Sequence, residues 1–227
     1  MAAADIGERL RDARLRQGLS LRGLAKSLGV SPSLISQVET GKTQPSVSTL
    51  YAIVNELGVS LDDLLGVVPA TGRAAPAGDR PGPVQRASDN PVLEMENGVR
   101  WERLAVGDGT AEALLVTYEP GASSSVEGRL MRHSGVEYAC ILEGELTLQL
   151  DFDTYVLGPG DSLHFDSVRP HLYSNRGTAP ARGIWFIVGR REQNQAMPDA
   201  PGAPEFDAAA PLNSAVDVLR AMDGLSR

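Results

Sequence analysis

The chain has 227 residues, of which 42% are hydrophobic and 22% charged, and a formal net charge of −8. That length accommodates two ordinary domains, and the apolar content excludes wholesale disorder. No apolar run approaches membrane-spanning length, the N-terminus shows no leader pattern, and the single cysteine, Cys140, excludes an internal disulfide, so the expectation is a cytoplasmic protein with no membrane partner.

The first predicted helix runs from about Asp5 to Arg16 and buries Ile6, Leu10 and Ala13. Four arginines, Arg9, Arg11, Arg14 and Arg16, crowd it. In the second, Leu21, Leu24, Ala25 and Leu28 recur at helical spacing. Gly29 follows where a left-handed turn suits a residue without Cβ, and Ser31-Pro32 supplies an N-cap hydroxyl and a first-turn proline for a third helix.

The third helix divides into two faces. Leu34, Ile35 and Val38 point toward a core; Ser33, Ser36, Gln37 and Thr40 point away. The outer face is short, polar and uncharged, the kind that hydrogen-bonds base edges in a major groove, where an amide such as Gln37 pairs bidentately with adenine. Ser31 belongs to the same candidate surface, and Arg22 and Lys42 are placed to hold phosphates and set register. A small helical bundle for protein–protein contact is the alternative.

These residues carry a resemblance. Residues 5–66 are similar to the five-helix DNA-binding domain of the XRE family of phage-repressor-type regulators. The match rests on Leu24-Ala25, Gly29-Val30-Ser31, Leu34-Ile35-Ser36, Glu39-Thr40-Gly41-Lys42 and Pro45-Ser46. The resemblance implies that the third helix reads a double-stranded operator and that a homodimer engages two half-sites. A fourth helix beginning near Ser46 buries Leu50, Ile53, Val54 and Leu57, and Ser60 caps a short fifth one through Leu61, Leu64 and Leu65.

Charge is divided unevenly. Residues 1–66 balance seven basic against seven acidic side chains, so the acidic excess belongs to the rest of the chain. Non-specific attraction to DNA is then modest, and specificity has to come from base contacts.

Prolines 69, 76, 81, 83 and 91 alternate with Gly, Ala and charged residues, so residues 67–91 read as a linker. The two domains are then expected to communicate through dimer geometry rather than one rigid joint. Residues 92–190 turn to short strands, among them Val99 to Val106, Glu112 to Glu119, Val136 to Leu142, Leu146 to Leu150 and Gly183 to Val188. Turn signals at Gly107-Asp108-Gly109, Pro120-Gly121, Glu143-Gly144 and Gly158-Pro159-Gly160-Asp161 imply eight to ten strands and a jelly roll or small barrel. The overall class is multidomain, α plus β. Residues 191–227 form a Pro/Ala-rich tail with a candidate helix from Leu212 to Leu225.

The run His133 to Leu146 (HSGVEYACILEGEL) resembles the first motif of the cupin family, and Leu157 to Asp161 with Pro170-His171 and Asn175 resembles the second. The resemblance implies a jelly-roll barrel that holds a metal or small ligand. On an extended strand His133 and Glu137 face the same way, and His171 completes a two-histidine, one-carboxylate set suited to Zn or non-haem Fe. The family often has a further histidine where this chain has Met131. The alternative is a barrel whose former metal residues hydrogen-bond an organic ligand or one another. Arg129, Arg132, Tyr138, Tyr173 and Trp185 are candidate cavity residues, and a buried arginine would favour an anionic ligand. His164 has no matching role.

The function these features favour is a transcriptional regulator, not an enzyme, whose barrel senses a small-molecule effector. The competing reading is a mononuclear non-haem iron oxidase or epoxidase, since some cupin enzymes carry a similar helical domain. A third is constitutive DNA binding with a barrel that only dimerises.

Overall fold

The computed structural model describes residues 3–65, 84–105, 111–126 and 128–189. Five helices open the chain: α1 (Ala3–Arg16), α2 (Leu21–Leu28), α3 (Pro32–Glu39), α4 (Val47–Leu57) and α5 (Leu61–Leu65). Local chemistry sets their ends. The hydroxyls of Ser20, Ser31 and Ser46 accept from the backbone N–H groups of Gly23, Leu34 and Thr49. Gly29 closes α2 at φ 66°, a left-handed conformation that a side chain would strain. Ser60 and Asp63 cap α5 reciprocally: Ser60 Oγ accepts from Asp63 N–H, and Asp63 Oδ2 accepts from Ser60 N–H.

The helices pack through one apolar core that includes Leu10, Leu24, Ile35, Leu50 and Leu57. At its side the buried Arg14 guanidinium forks onto the Glu39 carboxylate at 2.6 and 2.8 Å and also donates to Leu19 O, tying α1 to the end of α3. Gly7 lets these helices touch, because a Cβ there would stand 2.5 Å from Val38 O.

Among the described residues nine antiparallel strands follow: β1 (Val92–Glu94), β2 (Val99–Leu104), β3 (Ala111–Tyr118), β4 (Val136–Glu143), β5 (Leu146–Leu150), β6 (Asp153–Leu157), β7 (Ser162–Asp166), β8 (His171–Ser174) and β9 (Ala181–Val188). A six-stranded sheet in the order β1-β2-β3-β9-β4-β7 faces a three-stranded sheet in the order β6-β5-β8. This is the expected jelly roll. Burial alternates along β2, β3 and β9, so every second side chain enters the barrel.

Two expectations need correction. The linker ends earlier than Pro91: Gln85 donates to Arg103 O, and Arg103 N–H donates to Pro91 O, so residues from Gln85 onward already run along the barrel. The domains also touch directly rather than only through a dimer. Ser48 N–H at the start of α4 donates to Ser124 O at 3.0 Å, and Glu96 N–H donates to Pro45 O at 3.3 Å. On the other side of the junction Arg103 of β2 pairs with Asp62 of α5 at 2.7 Å, both side chains fully buried. The Arg103 guanidinium also donates to Leu104 O and Ala113 O, so none of its charge is stranded. The candidate helix from Leu212 to Leu225 lies outside the described residues.

Candidate functional site

The first site is the outer face of α3. Ile35 and Val38 are anchored in the core, while Ser33, Gln37 and Thr40 are exposed and Ser36 is half-buried. Arg22 near the start of α2 and Lys42 just past α3 are exposed on either side. Two hydroxyls of the set are engaged in the helix itself: Ser31 Oγ caps the N-terminus, and Thr40 Oγ1 donates to Ser36 O at 2.8 Å. Ser33 and Gln37 are exposed, and neither side chain caps the helix.

The second site lies inside the barrel. β4 brings Glu137 inward, and β8 brings His171 from the opposite sheet. His133 arrives differently from the expected strand alternation. It precedes β4, and a bend at Ser134-Gly135, with Gly135 at φ 103°, turns it into the barrel. His133 Nε2 lies 2.8 Å and His171 Nε2 3.2 Å from Glu137 Oε1. All three residues are buried.

The three atoms converge without satisfying one another, because none makes a well-directed hydrogen bond. The other ring nitrogens explain why. His133 Nδ1 faces Ser134 O at 3.1 Å and His171 Nδ1 faces Arg169 O at 2.8 Å, contacts in which Nδ1–H donates and Nε2 presents its lone pair to the centre. Tyr173 Oη donates to the other Glu137 oxygen at 2.8 Å. Two donors about 2.1 Å from one ion at a right angle stand about 3.0 Å apart, so the spacing suits a divalent metal. The residues present therefore fit a metal held by His133, Glu137 and His171.

Burial first, then the Glu137 charge, push the Tyr118 and Tyr173 phenols well above the usual tyrosine range. The site thus presents one carboxylate among neutral aromatic walls.

Of the candidate cavity residues, Tyr173 and Trp185 line this space. Three others do not. Arg129 and Arg132 are exposed, because the irregular segment before β4 turns them to solvent. Tyr138 is 48% exposed and stacks on His164 outside the barrel, as a residue adjacent to inward-facing Glu137 on a strand must. The charged side chain lining the cavity is the Glu137 carboxylate and not either of the expected arginines, which does not favour an anionic ligand.

Sequence reasoning missed the roof. Val47 and Tyr51 of α4 line the same cavity. The Tyr51 ring stacks on His133 with centroids 4.5 Å apart and planes at 29°, and meets Trp101 at 5.3 Å. The available signal was α4 itself, whose buried residues spread over more than one face.

Comparison with known proteins gives two family matches. Residues 10–64 match the helix-turn-helix model and residues 114–187 the cupin domain model. The HTH-type transcriptional regulator PuuR of Escherichia coli is 31% identical over 181 residues, which covers 78% of this chain and 91% of that protein. The HTH-type transcriptional regulator SutR of Escherichia coli is 25% identical over 183 residues, covering 74% and 85%. A solved helix-turn-helix family transcriptional regulator from Vibrio cholerae is 23% identical, covers 82% of this chain and 96% of its own, and superposes with a TM-score of 0.57, a likeness of fold.

Proposed function

Because the chain belongs to the helix-turn-helix transcriptional regulators that carry a cupin domain, a DNA-binding family rather than an enzyme one, we propose that α3 reads a specific operator and that the barrel sets this activity in response to a small-molecule effector. The observation that carries the reading is the division of α3, anchored by Ile35 and Val38 and exposed at Ser33 and Gln37. Arg22 and Lys42 hold phosphates, Gln37 and Ser33 contact bases, and Ser31, Ser36 and Thr40 fix the helix and border the contact.

The effector site is the barrel interior. His133, Glu137 and His171 hold a divalent ion, Zn or Fe by the chemistry of two imidazoles and one carboxylate. When bound, such an ion offers open coordination positions to an effector. Tyr173 orients the Glu137 carboxylate, and the Ser134 and Arg169 carbonyls fix the histidine rings. Trp185 and Tyr173 supply the apolar wall.

Two half-sites require two copies. The outward face of β9 and β4 supports a homodimer: Tyr138, Leu142, Phe186 and Val188 are exposed on neighbouring strands, and Tyr138 and Phe186 are cross-strand partners. Footprinting on a selected operator tests the whole reading. Protection of two symmetric half-sites is expected, and uniform protection without sequence preference contradicts it.

A further inference from the structure

The α4 helix belongs to the DNA-binding domain, yet it roofs the barrel. Beneath Val47 and Tyr51 the remaining space has room for about one water molecule. His133 lies between Tyr51 and the other ligating atoms, stacked on the first and 2.8 Å from Glu137. The roof is fastened at both ends. Ser48 N–H holds Ser124 O at one end of α4, and Asp62 of α5, which follows that helix, holds Arg103 of the barrel. An ion with a water fits below this roof, and an organic effector does not.

We propose that α4 is the lid of the barrel site, so that entry or exit at His133, Glu137 and His171 requires the helical domain to lift off the barrel, carrying the recognition helix with it. Because α3 and α4 share one core, the lid cannot open without reorienting α3. An organic effector that fills the barrel excludes the docked domain, and the docked domain excludes the effector. Binding then shifts the population between two arrangements of the DNA-reading surface, as it must if it favours one of them. This inference rests on the barrel being the effector site.

The test uses the full chain and two readouts. Zn2+ is loaded, and its capture by a chromophoric chelator is timed. Separately, quenching by acrylamide is measured for the two tryptophans, Trp101 and Trp185, the only two in the sequence and both beneath the lid. Asp62→Ala leaves the ligating atoms untouched but lets the Arg103 guanidinium gain water only by undocking. It is expected to speed Zn2+ capture at least tenfold and to raise quenching. Conversely, Ser48→Cys with Ser124→Cys in a Cys140→Ser background clamps the lid; oxidation is expected to slow capture at least tenfold, and reduction to restore it. Rates within twofold of the parent in both variants, with unchanged quenching, overturn the lid. Failure of the parent and of Asp62→Ala to take up Zn2+ would instead count against the metal reading, and the quenching arm would still decide whether the lid moves.

Discussion

The ring of Tyr51, in the DNA-binding domain, lies 4.5 Å from the ring of His133, one of the three converging ligand residues of the barrel. A residue that packs among helices and a residue that faces the interior of a β-barrel thus share one contact. In the proposed lid this direct contact is the coupling element, and no dimer is needed to carry the signal. Stacked aromatic pairs contribute about 0.5–1.5 kcal/mol beyond their burial. Tyr51→Ala should therefore weaken docking more than it weakens either domain, measured as increased hydrogen exchange in α4 with the β4 amides unchanged.

The proposed reading concentrates base recognition in two side chains. Gln37→Ala and Ser33→Ala should each cost on the order of 1–3 kcal/mol of discrimination between operator and mutated operator. Arg22→Ala and Lys42→Ala should instead weaken all sequences alike and reduce the salt dependence by about one counterion each. Titrations at several salt concentrations separate the two classes.

The proposed metal site rests on three residues and one support. Glu137→Ala or His171→Ala should abolish tight binding of one Zn2+ per chain, read by elemental analysis after dialysis. Tyr173→Phe should lower affinity by roughly tenfold, because a hydrogen bond that orients a ligating carboxylate typically contributes that much. Chelation should lower the unfolding temperature of the parent but not of Glu137→Ala.

The Arg14–Glu39 pair is buried, with side chains 7% and 6% exposed. Removing one partner strands the other charge, so Arg14→Leu should destabilise the helical domain by about 3–5 kcal/mol in urea unfolding. The double change Arg14→Leu with Glu39→Leu should recover much of that loss, which identifies the stranded charge as the cause.

Placing charge on the outward sheet face should separate the proposed dimer. Tyr138→Asp or Phe186→Asp should sediment as a monomer and bind a two-half-site operator far more weakly, while the isolated barrel fold, followed by circular dichroism, stays intact.

Much of this was legible in the residues. Caps and turns in the helical domain are local, so Ser31-Pro32 and Gly29 announced α3 and the end of α2 without any tertiary information. His133, Glu137 and His171 stood out through their motif spacing. Tyr138 could have been placed outside from strand period alone, since its neighbour Glu137 faces in. Arg129 and Arg132 could not, because they precede β4 in a segment with no period to read. The docked junction was illegible for a different reason. Asp62 and Arg103 lie 41 residues apart, in an acidic helix start and an alternating strand, and nothing local marks them as partners. Val47 and Tyr51 looked like ordinary helix core residues, and only the barrel beneath them gives them a second role.

In the proposed function α3 reads sequence and the barrel controls it. Selecting binding sites from random DNA with the parent protein and with Gln37→Ala tests it most directly. One symmetric two-half-site motif is expected for the parent, and relaxed preference at one position of each half-site for the variant. An identical motif from both proteins, or none from the parent, would contradict it.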